Sequence, residues 1–353
     1  MKKWLFRLMV VSGVTLLTLG FLEIAVRLAW KKLQGPIIPL SLKTHRPSAD
    51  PLLGYELIPG SSSFEDQVWY RISLQGIRDQ RDFDIPKPAG VYRIAALGDS
   101  FTFGMAVEEE DSWPRRLEAE LAGRHAVEVI NFGVMGYDTT QESRLLETKV
   151  PAFQPDLIII CYCLNDVGVL SRERRVLSQY RGYNGFFTTG LPWLDRFLGK
   201  SRLYLLSKNR LFLLKTRADV QKPRYSRDGQ KVLRLGYQGF LISAYQEAEN
   251  RNRLQAAFDR IKDFAQGLRV PVILAIYPEL EHFDAYPYRD VHGDVKGLAE
   301  ARGFRVVDPL EKFLQFSPRD VRISDSNVHP NRRGNEVFAA AVAGSVSTLA
   351  GWQ

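Results

Sequence analysis

Four short pieces of this chain combine residues that could do chemistry with residues that make turns. They are Gly98-Asp99-Ser100, Asn131-Phe132-Gly133, Leu164-Asn165-Asp166, and the run DSNVHPN from Asp325 to Asn331, which holds His329. A serine hydroxyl is a poor nucleophile until a base takes its proton, and an imidazole has a pKa suited to that task near neutrality. Ser100 and His329 could therefore form a nucleophile–base pair. Each piece also has an ordinary structural meaning. Ser100 could cap the helix after it, Asn165 could close a turn, and His329-Pro330-Asn331 could be a helix entry. Asp99, Asp166, Asp325 and His329 could offer oxygen and nitrogen ligands to a cation, but they lack helical or hairpin ligand spacing. No cofactor or metal is expected.

All four pieces fall where an element should begin or end. VYRIAALGD (Val91–Asp99) is a short apolar run closing in glycine and aspartate, which suits a buried parallel strand. Ser112 before Trp113-Pro114 starts a helix that runs to about Ala122. Further strands are expected at Val127–Asn131, Leu157–Leu164, Val270–Tyr277 and Phe304–Val307. Helices are expected at Thr140–Thr148, at Asn252–Gln266, before Arg302, and at Asn331–Leu349. Such strand–helix alternation predicts an α/β fold, a three-layer α/β/α sandwich around a mostly parallel sheet. Open sheets of this kind place their sites at the carboxyl ends of the strands, where the first three pieces lie.

In this order and at strand ends, the four pieces resemble the SGNH (GDSL-like) hydrolase superfamily. The resemblance covers about 91–349. Upstream, DPLLGYELIPG and Gly76-Ile77-Arg78, followed by GDSFTFGMAV, look like membrane-anchored bacterial members. The resemblance implies Ser100 as nucleophile, His329 as catalytic base, and Gly133 and Asn165 in the oxyanion hole. Physically, the Ser100 and Gly133 backbone N–H groups and the Asn165 side-chain amide would supply three donors. Each such donor is worth roughly 10²–10³ in rate. One departure stands out. The family places an acid two or three residues before the histidine, whereas this chain has Asn327 and Ser326 there. The nearest acid is Asp325, four before. Asp325 is expected to reach the imidazole; otherwise the site runs as a Ser–His dyad with a backbone orienter. Asp99 and Asp166 are expected to serve their local turns.

Composition narrows the remaining classes. The chain has 353 residues, 45% hydrophobic and 25% charged, which is ordinary for a globular protein. Its net charge of +8 is local. Between Arg172 and Arg234 sixteen Lys or Arg face four acids, so the rest of the chain is slightly acidic and nucleic acid is not an expected partner. The two cysteines, Cys161 and Cys163, would sit about 6–7 Å apart on one face of a strand, too far for an unstrained disulfide. They are expected to be buried core thiols.

The N-terminus reads as a membrane anchor at 1–30. After Lys2, Lys3 and Arg7, an uncharged run reaches Leu22 and apolar character continues to Trp30, with no small-residue cleavage site after it. Glu23 and Arg27, four apart, can pair near the far headgroups. The charge bias favours an inside N-terminus, so the expected location is the inner membrane, single-pass, with the catalytic domain extracytoplasmic. A Pro- and Ser-rich stalk and lead-in, with short strands around Val68–Ile72, is expected at 31–90 and the hydrolase domain at 91–350. That domain is interrupted at about 168–242 by a basic insertion, whose amphipathic part is expected to pack on the domain core.

The sequence reading is a serine esterase working through an acyl-enzyme, with an acyl ester, such as an acylated cell-envelope or exported glycan, as substrate. Its rivals are a polysaccharide O-acyltransferase and a non-catalytic envelope-binding protein. Oligomeric state is not legible.

Overall fold

The computed structural model describes residues 2–29, 44–123, 126–167, 191–198, 200–208, 210–211, 238–239, 241–325, 327–349 and 352. The chain divides into two compact units, 1–41 with 178–224, and 42–177 with 225–353.

The first unit holds helix α1 (Lys2–Leu28), 27 residues and about 40 Å long at 1.5 Å per residue, long and apolar enough for a membrane span or signal sequence. Glu23 and Arg27 pair at 2.7 Å, as their spacing predicts. Glu23 also accepts hydrogen bonds from Ser201 Oγ and from the Arg202 and Leu203 N–H groups, at 2.8–2.9 Å. Arg27 donates to the Lys200 carbonyl. The described start of the amphipathic segment is thus tied to α1. Most of the insertion lies outside the described residues.

The second unit begins with a lead-in. Strands β1 (His45–Pro47) and β2 (Tyr55–Leu57) pair antiparallel, and β3 (Ser62–Glu65) and β4 (Val68–Arg71) form a hairpin through Asp66-Gln67. Tyr55, Leu57, Tyr70, Ile72 and Ile77 are buried. The expected stalk is therefore folded from Thr44 onward, because alternate lead-in residues are apolar or aromatic and find a core to cover. The part of the expected stalk at 31–43 lies outside the described residues.

The sheet follows. Strand β5 (Val91–Leu97) leads to α2 (Ser100–Phe103) and α3 (Trp113–Leu121); β6 (Ala126–Asn131) leads to α4 (Thr139–Thr148) and then β7 (Leu157–Cys163). Beyond the insertion come α5 (Ala248–Leu268), β8 (Val272–Tyr277), α6 (Arg289–Glu300) and β9 (Arg305–Val307). A short hairpin, β10 (Arg322–Ser324) and β11 (Asn327–Pro330), precedes α7 (Arg332–Val346). The five strands of the central sheet are all parallel, in the order β6-β5-β7-β8-β9.

That order explains the layers. The chain moves one way from β5 to β6 and the other way through β7, β8 and β9. Right-handed crossovers then put α3 on one face and α4 and α5 on the other. The packing agrees: α3 lies against α7, and α4 against α5. Strands β7 (LIIICYC) and β8 (VILAIY) are buried throughout, as central strands covered on both faces must be. The direction reverses between β5 and β7, so a crevice opens at their carboxyl ends. Ser100 follows one of these strands and Asn165 the other.

Candidate active site

Strand β5 stops at Leu97, and Asp99 caps the next turn, its Oδ1 accepting the Phe101 N–H at 2.9 Å. Ser100 thus occupies the first position of α2, where a backbone N–H has no partner within its own helix. The residue is 7% exposed. Its Oγ lies 2.9 Å from His329 Nε2, although 229 positions separate the two in sequence. The Phe101 ring stands 5.2 Å from the imidazole and 4.9 Å from Tyr277, so the histidine rests on an aromatic wall.

The other ring nitrogen identifies the orienter. His329 Nδ1 lies 2.7 Å from Asn327 Oδ1, and the His329 backbone N–H donates to the same oxygen at 3.2 Å. A backbone N–H can only donate, so the Asn327 atom facing it is the carbonyl oxygen and not the amide nitrogen. That oxygen can only accept from the ring, which places the proton on Nδ1. Nε2 is left with its lone pair toward the Ser100 hydroxyl, the tautomer a general base needs.

Asp325 does not reach the imidazole, which corrects the sequence expectation. Its carboxylate is paired with Arg319 at 3.0 Å and Arg322 at 2.5 Å, and its side chain is 59% exposed. Hydrogen bonds from Arg322 and then Arg319 hold it below the usual carboxylate range. The antiparallel β10–β11 hairpin puts Asp325 at the solvent-side turn and Asn327 on the strand with His329.

Asn165 sits in the turn Leu164–Val167 directly after β7, half-buried, with its Oδ1 buried and without a partner among the described residues. The ends of β5 and β7 are held together there, for the Cys163 thiol donates to Asp99 Oδ1 at 3.3 Å. Gly133 has a different task from the expected one. Its N–H is bonded to Asn131 Oδ1 at 2.9 Å, and Asn131 Nδ2 donates to the Thr102 carbonyl. A Cβ at 133 would come within 2.3 Å of the Phe103 nitrogen. Gly133 is therefore needed for close packing against α2, and its amide is already engaged. The same loop carries a glycine the sequence reading passed over. Gly136 is the third residue of a turn closed by Tyr137 N–H to the Val134 carbonyl at 3.1 Å, with φ +81°. Glycine favours that left-handed position, and the amide of a turn's third residue takes no part in the turn's own hydrogen bond. The signal in the sequence was a second glycine three residues after the first.

Below the site lie acids with little water. Asp166 Oδ2 accepts the Cys163 N–H at 2.8 Å, serving its local turn as expected. Glu142, from α4, is fully buried, and neither of its carboxyl oxygens has a partner among the described residues. Burial pushes the Glu142 carboxyl well up, and the nearby Asp99 adds to this. Asp166 is also pushed well up, first by burial and then by Glu142 and Asp99. The cysteines are free and buried, and burial pushes the Cys163 thiol up.

Two outcomes are expected. Asp325→Asn should leave turnover within about twofold of wild type, while Asn327→Ala should lower it by roughly 10–10² through loss of the productive tautomer; steady-state kinetics on the two folded variants, with the reverse ranking counting against Asn327. For Glu142, a raised folded pKa means its stabilising contribution is full below its ordinary value, near 4.5, and is lost as pH rises through the elevated one. Glu142→Gln removes that dependence. Melting temperature should therefore favour the variant more at pH 9 than at pH 5, and an equal difference at both would exclude this role.

Among solved structures, the chain is similar to a G-D-S-L lipolytic protein from Veillonella parvula DSM 2008, with 15% identity and a TM-score of 0.38 over 73% of this chain and all of that one. It is likewise similar to an acetylxylan esterase from Geobacillus stearothermophilus, with 17% identity and a TM-score of 0.38 over 71% of this chain and 92% of that one. A lipase/acylhydrolase from Enterococcus faecalis gives 13% and 0.40, over 72% and 95%. No curated protein matches the chain. Residues 96–337, well over half of the sequence and including Ser100 and His329, match the GDSL-like Lipase/Acylhydrolase family; the chain belongs to that family, and it is a hydrolase acting on ester bonds.

Proposed function

We propose that the protein is a serine esterase that works through an acyl-enzyme at Ser100. The observation that carries this reading is the relay from Ser100 Oγ to His329 Nε2 at 2.9 Å and from His329 Nδ1 to Asn327 Oδ1 at 2.7 Å. Ser100 Oγ attacks the ester carbonyl carbon as its proton passes to His329 Nε2. The C–O bond to the alcohol breaks, and the alcohol leaves with that proton. Water then attacks the acyl carbon, giving its proton to Nε2, and Ser100 recovers a proton as the acid departs. The negative oxygen formed in each half is held by the Ser100 N–H, the Asn165 side-chain amide and the Gly136 N–H. Gly136 takes the place first given to Gly133, whose N–H is engaged.

The orienter is a neutral amide. It fixes the tautomer but stabilises the imidazolium only through its dipole. The esters proposed as substrates are O-acyl groups on cell-envelope or exported glycans. The support is the location proposed for the domain, outside the cytoplasm on an inner-membrane anchor. Lys2, Lys3 and Arg7 flank the inner end of α1, while Glu23 partly offsets Arg27, Lys31 and Lys32 at the other.

Two tests follow. A fluorophosphonate probe should label the wild-type protein and leave Ser100→Ala unlabelled, and that variant should lose roughly 10³-fold or more of its turnover on short acyl esters. Labelling of both proteins would remove the assignment. Running the esters with and without a glycan acceptor separates hydrolysis from acyl transfer. For topology, alkaline phosphatase fused after Gln353 should be active in bacterial cells; an inactive fusion beside an active cytoplasmic reporter reverses the orientation.

A further inference from the structure

Outside the matched residues 96–337, the lead-in places one side chain on the loop that carries Gly136. Tyr55, on β2, is 2% exposed and donates its phenolic hydrogen to the Met135 carbonyl at 2.8 Å. Met135 C=O and Gly136 N–H belong to a single peptide. A trans peptide is planar, with its C=O and N–H pointing in opposite directions, so fixing one fixes the other. We infer that Tyr55 is a positioning residue for the oxyanion hole: by holding the Met135 carbonyl on its own side, it presents the Gly136 N–H on the opposite side of the peptide plane. This inference rests on the esterase reading above and names the part of the lead-in that serves it.

The surroundings make the contact hard to replace. The Tyr137 hydroxyl hydrogen-bonds back to the Tyr55 carbonyl, and the two rings meet edge to face at 5.2 Å. A Cβ on Gly136 would come within 3.0 Å of the Tyr55 hydroxyl, so the glycine gives the phenol room as well as supplying a left-handed φ. If the peptide flipped, its carbonyl dipole would face the developing negative charge and the buried phenol would lose its acceptor. Both effects are unfavourable.

The experiment compares Tyr55→Phe with Tyr137→Phe on an activated short-chain ester, each checked for melting temperature. Tyr55→Phe keeps the ring and removes the hydrogen bond to the Met135 carbonyl. Tyr137→Phe removes the neighbouring bond and leaves that one intact. The expected result for Tyr55→Phe is a fall in kcat of roughly 10–10²-fold with KM within about twofold, because a loosened oxyanion donor acts on the transition state and not on substrate binding. A loss in kcat less than about fivefold greater than that of Tyr137→Phe overturns the inference and reduces Tyr55 to packing. Fluorophosphonate labelling separates this failure from failure of the esterase reading. If wild type labels and Ser100→Ala does not, the esterase reading stands whatever Tyr55 does. If wild type neither labels nor turns over ester, both readings fall together.

Discussion

The 2.9 Å hydrogen bond between Ser100 and His329 joins two points 229 residues apart, and much of the architecture exists to make that approach repeatable. Ser100 is held from β5 by the Asp99 cap, and His329 by the β10–β11 hairpin that precedes α7. Asn331 fastens the hairpin to that helix. Its Oδ1 caps the Gly334 N–H, while its amide donates to the Asp320 and Arg322 carbonyls. Since α7 packs on α3, the histidine is anchored to the helical layer on one face of the sheet whose strand end carries the serine. Two rigid bodies meeting across a crevice position catalytic groups more narrowly than a free loop would.

Charge at the site is arranged so that few groups carry it. The imidazole is oriented by a neutral amide, and the acid nearest in sequence is drawn away by two arginines. Burial and then Asp99 push Glu142 toward its neutral form, and burial, then Glu142 and Asp99, push Asp166 the same way. Ester cleavage creates a negative oxygen close to the end of β5. A set of ionised carboxylates within electrostatic reach of it would raise the barrier, since interactions in a buried site are weakly screened. Neutral acids avoid that opposition while still accepting hydrogen bonds, as Asp166 does from Cys163.

The sheet was legible because β7 and β8 are unbroken apolar runs and because Ser112-Trp113-Pro114 marks a helix start. Ser100, Asn165 and His329 were legible as strand-end and helix-entry residues. The orienter was not. The resemblance called for an acid, and Asp325 was the nearest; only the hairpin register shows that Asn327 shares the strand with His329 while Asp325 turns outward. Gly133 was misread for a related reason. A glycine after a strand signals that the backbone needs room, but not whether a ligand or another chain segment fills it. Here the neighbour is the Phe103 backbone. Of the folded lead-in, only the strand around Val68–Ile72 was legible, and it forms at Val68–Arg71; prolines and serines made the rest read as loop, although Tyr55 already marked a buried strand position.

The lead-in also moves the physical boundary of the enzyme upstream of the segment that defines its family. Phe103, at the end of α2, is fully buried, and the rings around it come from Tyr70 at 5.3 Å and His45 at 6.1 Å. The Arg78 guanidinium lies over the same ring at 5.4 Å and over Tyr70 at 5.1 Å. The Tyr70 hydroxyl accepts the Ala106 N–H just past that helix, and Leu53 gives its carbonyl to Gln141 at the start of α4. Without 44–83, Phe103 would face water and these polar groups would lose their buried partners, at the two loops that hold Ser100 and Gly136. The strand ends that carry Ser100 and Asn165 thus depend for their shape on residues lying before the first strand of the sheet, and the folded unit is the sheet together with its lead-in.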